Sequence, residues 1–300
     1  NCIIQFFSLI LHDKGMKKVP PDQNMNDKND KQTMQQPVSR RGGTPRLIIR
    51  AGNGTLSFLL PHGDGTVDYA PYTVRSGVSM AANLRSAFRD AELLQNHGQK
   101  ALLSVCTPVA LVPIDEYMDE ENFDADLLYN KTFMGHDSEE KIINVLPELN
   151  AVAIFGINKD LKMVVEDHFA DVRIQNVIQP VWRHLYRRGG VSGQRRRLYG
   201  YFHDRCIDIF SFQQRRFRFA NRFDATHLHD ALYFLLFVWN QLAFDNENDE
   251  MHILGNIENK EWIVNKLKSY LRRVYVLSPS AELNRLPVTQ IEGIDFDMML

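Results

Sequence analysis

Two short apolar runs, 46–51 and 55–61, flank Gly52-Asn53-Gly54, and Asn-Gly between such runs is a strong short-range hairpin signal. A third strand is predicted over 67–74, beyond the turn at Gly63-Asp64-Gly65. From 79 to 96 the spacing becomes helical. Leu84, Phe88, Ala91 and Leu94 share one side, Ser79 stands as N-cap, and His97-Gly98 ends the run. Residues 100–105 are apolar without alternation, as in a strand buried on both faces. The pattern then breaks. Residues 107–149 hold strand-like runs at 109–113 and 141–146, an acidic run at 115–126 and a short helix around 125–133. The rhythm resumes with a strand at 152–157, a helix at 158–169, a strand at 172–177 and a helix at 180–188.

Beyond a glycine-rich hinge at 189–193, the second half repeats this order. Strands are predicted at 197–203, 206–212 and 216–223, with turns at Asp204 and Gln213-Gln214. A very apolar helix at 226–244, a strand at 251–257, a helix at 258–271 and a strand at 273–277 complete it. Three strands in succession followed by helix, strand, helix and strand is the ribonuclease-H-like plan. The expected fold is therefore α/β, with two tandem ribonuclease-H-like domains at 45–190 and 194–300 and an insertion at about 107–149 in the first. The halves repeat the order of elements, not a sequence motif. Residues 22–44 are rich in Asn, Asp, Lys and Gln without periodicity, so 1–44 is expected to be a disordered tail. The apolar start at 2–11 has no preceding basic residue and no small-residue cleavage site, which argues against a signal peptide. Residues 1–15 read as an appendage upstream of Met16.

A formal net charge of −2 over 300 residues predicts no global attraction to nucleic acid or anionic membrane. Cys2, Cys106 and Cys206 are odd in number and widely spaced. They give no disulfide framework and no metal pair, which suits a reducing cytoplasm. The longest apolar run, 231–239, falls far short of the roughly 20 residues that span a bilayer. It reads as a helix covered on more than one side, by its own sheet and by the opposite domain.

Local charge changes the picture. Arginine stands at 183, 187, 188, 195, 196, 197, 205, 215, 216, 218 and 222, against only Asp204 and Asp208 in the same stretch. Arg195, Arg196 and Arg197 are the candidate contacts for a nucleic acid. Strand alternation places Arg216, Arg218 and Arg222 opposite Phe217, Phe219 and Phe223, so basic and stacking groups would not share a surface. Protection of a sheet edge, or pairing with the acidic run at 115–126, are the other uses for this charge. A nuclease would need carboxylates gathered about two metals. Asp204, Asp208, Asp224 and Asp230 are the supply, the strand at 198–202 offers none, and turn and cap roles account for them. His227 and His229 lie about 200° apart on a helix and cannot share an ion. No metal site is expected, and Cys106 and Cys206 read as small packing residues.

Leu47-Ile48-Ile49-Arg50 with Leu56-Ser57-Phe58, Leu198-Tyr199-Gly200-Tyr201, Ile207-Asp208-Ile209, Phe217-Arg218-Phe219-Ala220-Asn221-Arg222-Phe223 and His252-Ile253-Leu254-Gly255 stand in a telling order. Across them the chain resembles the actin, hexokinase and sugar-kinase superfamily, with an insertion placed like that of the cell-division and pilus-assembly branch. More closely it is similar to an uncharacterised Bacteroidetes-type family, domain of unknown function 3822, with an actin-like ATPase fold. The resemblance implies a cleft for ATP with Mg. Its hairpins would be Gly52, Asn53, Gly54 and Thr55 on one side and Asp204 on the other, with Gly255 and Asn256 on the adenosine side. The chain departs from the superfamily pattern at each place. Arg50-Ala51 stands near the position of the metal-side Asp, the second hairpin lacks glycine, and one glycine remains at 254–256. Without the metal-side carboxylate, the electrostatic basis of phosphoryl transfer is lost. No catalytic residue and no cofactor are therefore expected, and the cleft is read as vestigial. The leading expectation is a non-catalytic scaffold that binds an unknown protein partner through the insertion. The alternatives are a nucleotide-binding switch or weak ATPase using ATP with Mg, and a nucleic-acid-associated protein using the arginine stretch.

Overall fold

The computed structural model describes residues 46–95, 100–118, 123–189, 195–213 and 216–300. The expected tail at 1–44 and most of the glycine-rich hinge lie outside them. β1 (Leu47–Ala51) turns through 52–55 into β2 (Leu56–Pro61), and β3 (Val67–Tyr72) completes an antiparallel meander. α1 (Met80–Asp90) begins where Ser79 Oγ accepts from the Ala82 N–H, and a short α2 (Glu92–Gln95) follows. β4 (Lys100–Val105) returns parallel to β1. Next come β5 (Val109–Pro113), α3 (Ile114–Tyr117), α4 (Ala125–Thr132), β6 (Glu140–Leu146) and β7 (Ala151–Ile157). α5 (Lys159–His168), capped by Asn158, leads to β8 (Asp171–Asn176), which lies parallel to β4. α6 (Ile178–Gly189) closes the first half.

In the second half, β9 (Arg197–His203), β10 (Cys206–Gln213) and β11 (Arg216–Asp224) form the meander. α7 (Leu228–Gln241), β12 (Glu250–Gly255), α8 (Lys260–Lys268) and β13 (Val274–Val276) follow, with β12 parallel to both β9 and β13. α9 (Pro279–Glu282) and two 3-10 turns, Pro287–Gln290 and Phe296–Met299, end the chain.

The two main sheets have the same order, β3-β2-β1-β4-β8 and β11-β10-β9-β12-β13. β5, β7 and β6 form a separate three-stranded sheet in which β7 is central. This corrects one expectation. Ala151–Ile157 does not resume the main sheet; the small sheet takes it, and β8 alone carries the main sheet on. All seven residues of β7 are buried, so its apolar run is the same whichever sheet receives it.

One core lies under the first sheet, with Leu47, Ile49, Leu84, Leu103, Phe155 and Val165 among its members. A second lies between β9, β10, β12, α7 and α8. A third joins the two halves, setting Ile178, Val181, Trp182 and Leu185 of α6 against Tyr199, Tyr201 and Phe210 of the second sheet. α7 differs from its expected double covering. Leu235, Val238 and Trp239 are buried on its own sheet and against α8, while Tyr233 is 55% exposed.

The pairing of β10 with β11 slips between Ser211 and Phe212, which leaves Arg218 as an extra residue in β11. The expected alternation therefore fails there. Phe219 and Phe223 face the second core, but Phe217 faces the third, its ring centroid 5.0 Å from that of Trp182.

Candidate functional site

β1 buries Leu47 and Ile49, and its last turn outward delivers Arg50 to the mouth of the first hairpin. Arg50 is 1% exposed, and a guanidinium so deep needs carboxylates. It has three. Nη2 donates to Asp204 Oδ2 at 2.7 Å, Nε donates to both oxygens of Asp297 at 3.0 and 3.1 Å, and Nη1 lies 3.2 Å from Asp295 Oδ2. Burial alone would lower the Arg50 pKa, yet Asp297, Asp204 and Asp295 more than offset it and push it well above the ordinary value. Asp295 goes the other way, raised to about 6 by burial, because Arg50 already serves two other carboxylates.

Asp204 comes from the tight turn between β9 and β10. Asp204 and Arg205 have φ of 46° and 61°, the left-handed pair of a type I′ hairpin. Its carboxylate reaches across to the first hairpin. There it accepts from Thr55 Oγ1 at 2.8 Å and from the Asn53 N–H at 3.3 Å, in addition to Arg50. Gly52 is needed for this approach. A Cβ at Gly52 would fall 2.2 Å from Asp204 Oδ1 and 2.0 Å from Thr55 Oγ1. The donors that the first hairpin turns outward are thus taken by a side chain of the second.

The chain of charges continues. His203 Nδ1 lies 3.0 Å from Asp204 Oδ2, and its Nε2 lies 2.6 Å from Asp208 Oδ2. Burial would lower its pKa, but hydrogen bonds to these two carboxylates raise it well above the ordinary imidazole value. With a carboxylate at each ring nitrogen, buried His203 is held toward its imidazolium form. Arg222 grips Asp208 with Nε at 3.0 Å and Nη2 at 2.8 Å, while Nη1 donates to Thr107 O at 2.9 Å. Burial opposes charge on Asp208, yet Arg222 and His203 hold its carboxyl at about 2. Arg50, Asp204, His203, Asp208 and Arg222 therefore alternate in sign from β1 of the first half to β11 of the second, tying both halves together.

Cys106 Sγ lies 3.8 Å from His203 Nδ1 and accepts from Arg222 Nη1 at 3.4 Å, so it is a polar member of this cluster and not the packing residue expected. Cys106, His203 and Asp204 offer ligand atoms within 4.8 Å of one another. A cation there would meet an imidazolium and two guanidinium groups, and both oxygens of Asp204 already accept from Arg50. Gly255 and Asn256 lie at the end of β12, where Gly255 pairs with Phe202 and packs beside the Tyr201 ring. β12 runs so close to β9 that a Cβ at Gly255, where φ is 97°, would fall 2.1 Å from Phe202 O; the Asn256 N–H donates to that same oxygen. Gly54 is exposed at the hairpin tip, with φ of 78°.

The family model described as "Protein of unknown function (DUF3822)" matches residues 42–274. The chain belongs to this family. No curated protein matches it. Among solved structures, the DUF3822 chain is similar to a Bacteroides thetaiotaomicron protein with an actin-like ATPase fold and unknown function. The two are 24% identical with a TM-score of 0.72, over 83% of this chain and 96% of that one. It is also similar to a chain of the PilM-PilN type IV pilus biogenesis complex, at 10% identity and a TM-score of 0.50 over 79% and 89%. These likenesses establish a mixed α/β fold with actin-like ATPase neighbours.

The other candidates of the DUF3822 chain fall into structural places. Asp208 is neither a turn nor a cap residue but the centre of the buried ion cluster. Asp230 caps α7 by accepting from the His227 N–H, and His229 packs on Trp262. Among the described residues, several of the arginines pair with acids outside 115–126. Arg196 meets Asp249, Arg195 and Arg197 meet Glu250, Arg183 meets Glu148, and Arg188 meets Glu282. Asp295, Asp297 and His203 had no motif to mark them. The available signal was Arg50 itself, a charge inside Leu47-Ile48-Ile49-Arg50-Ala51, which called for buried acids from elsewhere.

Proposed function

We propose that this chain is a non-catalytic scaffold or protein-interaction module in which an ion cluster has replaced a nucleotide cleft. On this reading the two equivalent sheets are tandem ribonuclease-H-like domains, and the β5-β7-β6 sheet is an insertion in the first. The observation that carries it is the position of Asp204. Its carboxylate holds the Asn53 N–H and the Thr55 hydroxyl, the donors with which such a hairpin would receive a phosphate oxygen. The residues present do not fit ATP with Mg. Gly52 has no room beside it, Arg50 brings positive charge to the metal side, and Asp204 is committed to that arginine.

The insertion is the surface this reading assigns to a protein partner. Leu127, Met134, Ile143 and Val145 on or beside α4 and β6 are 50%, 71%, 38% and 49% exposed, a concentration of outward apolar side chains. No helix among the described residues is long and apolar enough to cross a membrane, and we place the chain in the cytoplasm. Nucleic acid is a poorer partner, because most arginines of the basic stretch are spent on acids or carbonyls of the chain itself. A phosphate-release assay in millimolar Mg-ATP tests the non-catalytic part. Release at the buffer rate is expected, and turnover that disappears on changing Thr55 would overturn it.

A further inference from the structure

Four exposed residues, 284–287, lead into residues 288–300, which belong to none of the three sheets and are held to the body by side chains. Val288, Ile294 and Met298 pack on Leu59 and Ile48, and Phe296 enters the core that joins the two halves. Asp297 takes Arg50 and accepts from the Tyr201 hydroxyl at 2.6 Å, while the Tyr69 hydroxyl donates to Gly293 O at 2.8 Å. The groove is thus cut for an alternation of apolar and acidic side chains, Ile294-Asp295-Phe296-Asp297-Met298, and every copy of the chain carries that sequence. The connection is bent where the segment turns back. Asn284 and Arg285 have φ of 50° and 58°, a left-handed pair that costs energy in residues with a side chain. Leu286, restricted by Pro287, is already extended, with φ of −54° and ψ of 147°. Straightening 284–285 relieves both residues and carries the segment away from its own groove.

We propose that residues 288–300 exchange between two copies of this chain, so that Asp297 of each copy pairs with Arg50 of the other. The exchanged pair reproduces every contact between segment and groove. Only the turn at 284–285 opens, with its hydrogen bond from the Arg285 N–H to Ser280 O. The cost is the freedom of two separate molecules, and two relaxed hinges offset part of it. Reciprocal exchange closes on itself, giving a two-fold dimer and not a fibre. Each Arg50 cluster is then completed by the second copy. This goes beyond the scaffold reading and stands whether or not the insertion meets another protein.

The test mixes ¹⁴N and ¹⁵N full-length chains, each with Tyr69 replaced by the photoreactive p-benzoylphenylalanine, whose ketone lies beside Gly293 in the docked state. The mixture is concentrated, warmed below its unfolding midpoint to allow exchange, and separated by size-exclusion chromatography with light scattering. Monomer and dimer fractions are then irradiated and digested with trypsin. A dimer is expected, with cross-links joining the light residue-69 peptide to the heavy C-terminal peptide, and the reverse, in that fraction alone. Asn284→Gly/Arg285→Gly, which removes the penalty of the closed turn and touches no groove contact, should lower the dimer fraction several-fold. A chain that stays monomeric overturns the proposal. So does a dimer whose cross-links join only peptides of like mass, which is association through another surface. An unchanged or larger dimer fraction in the glycine variant overturns it as well.

Discussion

Replacing Arg50 by methionine keeps the unbranched stem out to about the Nε position and removes the guanidinium charge from a site that is 1% exposed. Asp297, whose side chain is 1% exposed, would then lose its cation, and Asp204, 2% exposed, would keep only His203, with Asp295 beside them. Breaking a buried pair by removing one partner destabilises by about 3–5 kcal/mol. At roughly 2–4 °C per kcal/mol for a body of this size, the midpoint should fall by about 6–20 °C. A solvated cleft with surface ion pairs would lose only about 0–1 kcal/mol. The pH dependence separates the two further. Asp204 is held well below the ordinary carboxylate range, with His203 and Arg50 overcoming the opposing effect of burial. A depressed acid gives stability that is present above its unfolded pKa, about 3.9, and is lost as pH falls through the folded value. Without Arg50 that depression shrinks and protonation relieves the repulsion, so the deficit should be largest at pH 8 and smaller at pH 5. Urea unfolding followed by circular dichroism at both pH values measures it, and Arg50→Met/Asp297→Leu should recover part of the loss. A deficit under about 1 kcal/mol at pH 8 would refute the buried-cluster reasoning.

Three further outcomes follow from the same geometry. Asp295, raised to about 6, is an acid whose folded state holds its proton more tightly; its contribution is complete below pH 4 and lost as pH rises to 6. Asp295→Asn should therefore flatten the stability profile across that window and raise the unfolding free energy at pH 7.5, by at most about 2–3 kcal/mol. His203, raised by its two carboxylates, contributes stability that is complete below about pH 6.5 and fades as pH climbs through its folded value. His203→Gln should accordingly show its largest deficit in acid and a smaller one in alkali, and imidazole ¹⁵N shifts of the wild type at pH 7 should report both nitrogens protonated. Gly255→Ala places a Cβ 2.1 Å from Phe202 O at a positive φ; a loss of at least about 2 kcal/mol is expected, with hydrogen exchange faster along β9 and β12.

Much of this was legible in the chain. Asn53-Gly54 and the turn at Asp204 announced the two hairpins, and Ser79 announced the first helix, because each signal is local. Ala151–Ile157 was misplaced since an unbroken apolar strand carries no address. The bulge at Arg218 was invisible because alternation looks intact until the partner strand slips. The acids that complete the Arg50 cluster were beyond reach for another reason. Asp297 lies 247 residues from Arg50 in sequence, and no spacing rule spans that distance. The arginine in a buried strand announced that acids were needed, not which ones.

The central claim is that Asp204 and Arg50 occupy the space where a nucleotide phosphate and its metal would sit. Thermal unfolding of the chain with and without millimolar Mg-ATP tests it most directly. A ligand at about 100 times its Kd would add roughly 2.7 kcal/mol and move the midpoint by about 5–11 °C. The ion cluster predicts no shift. A shift of several degrees that disappears in Thr55→Val would contradict it and make the two hairpins a working nucleotide site.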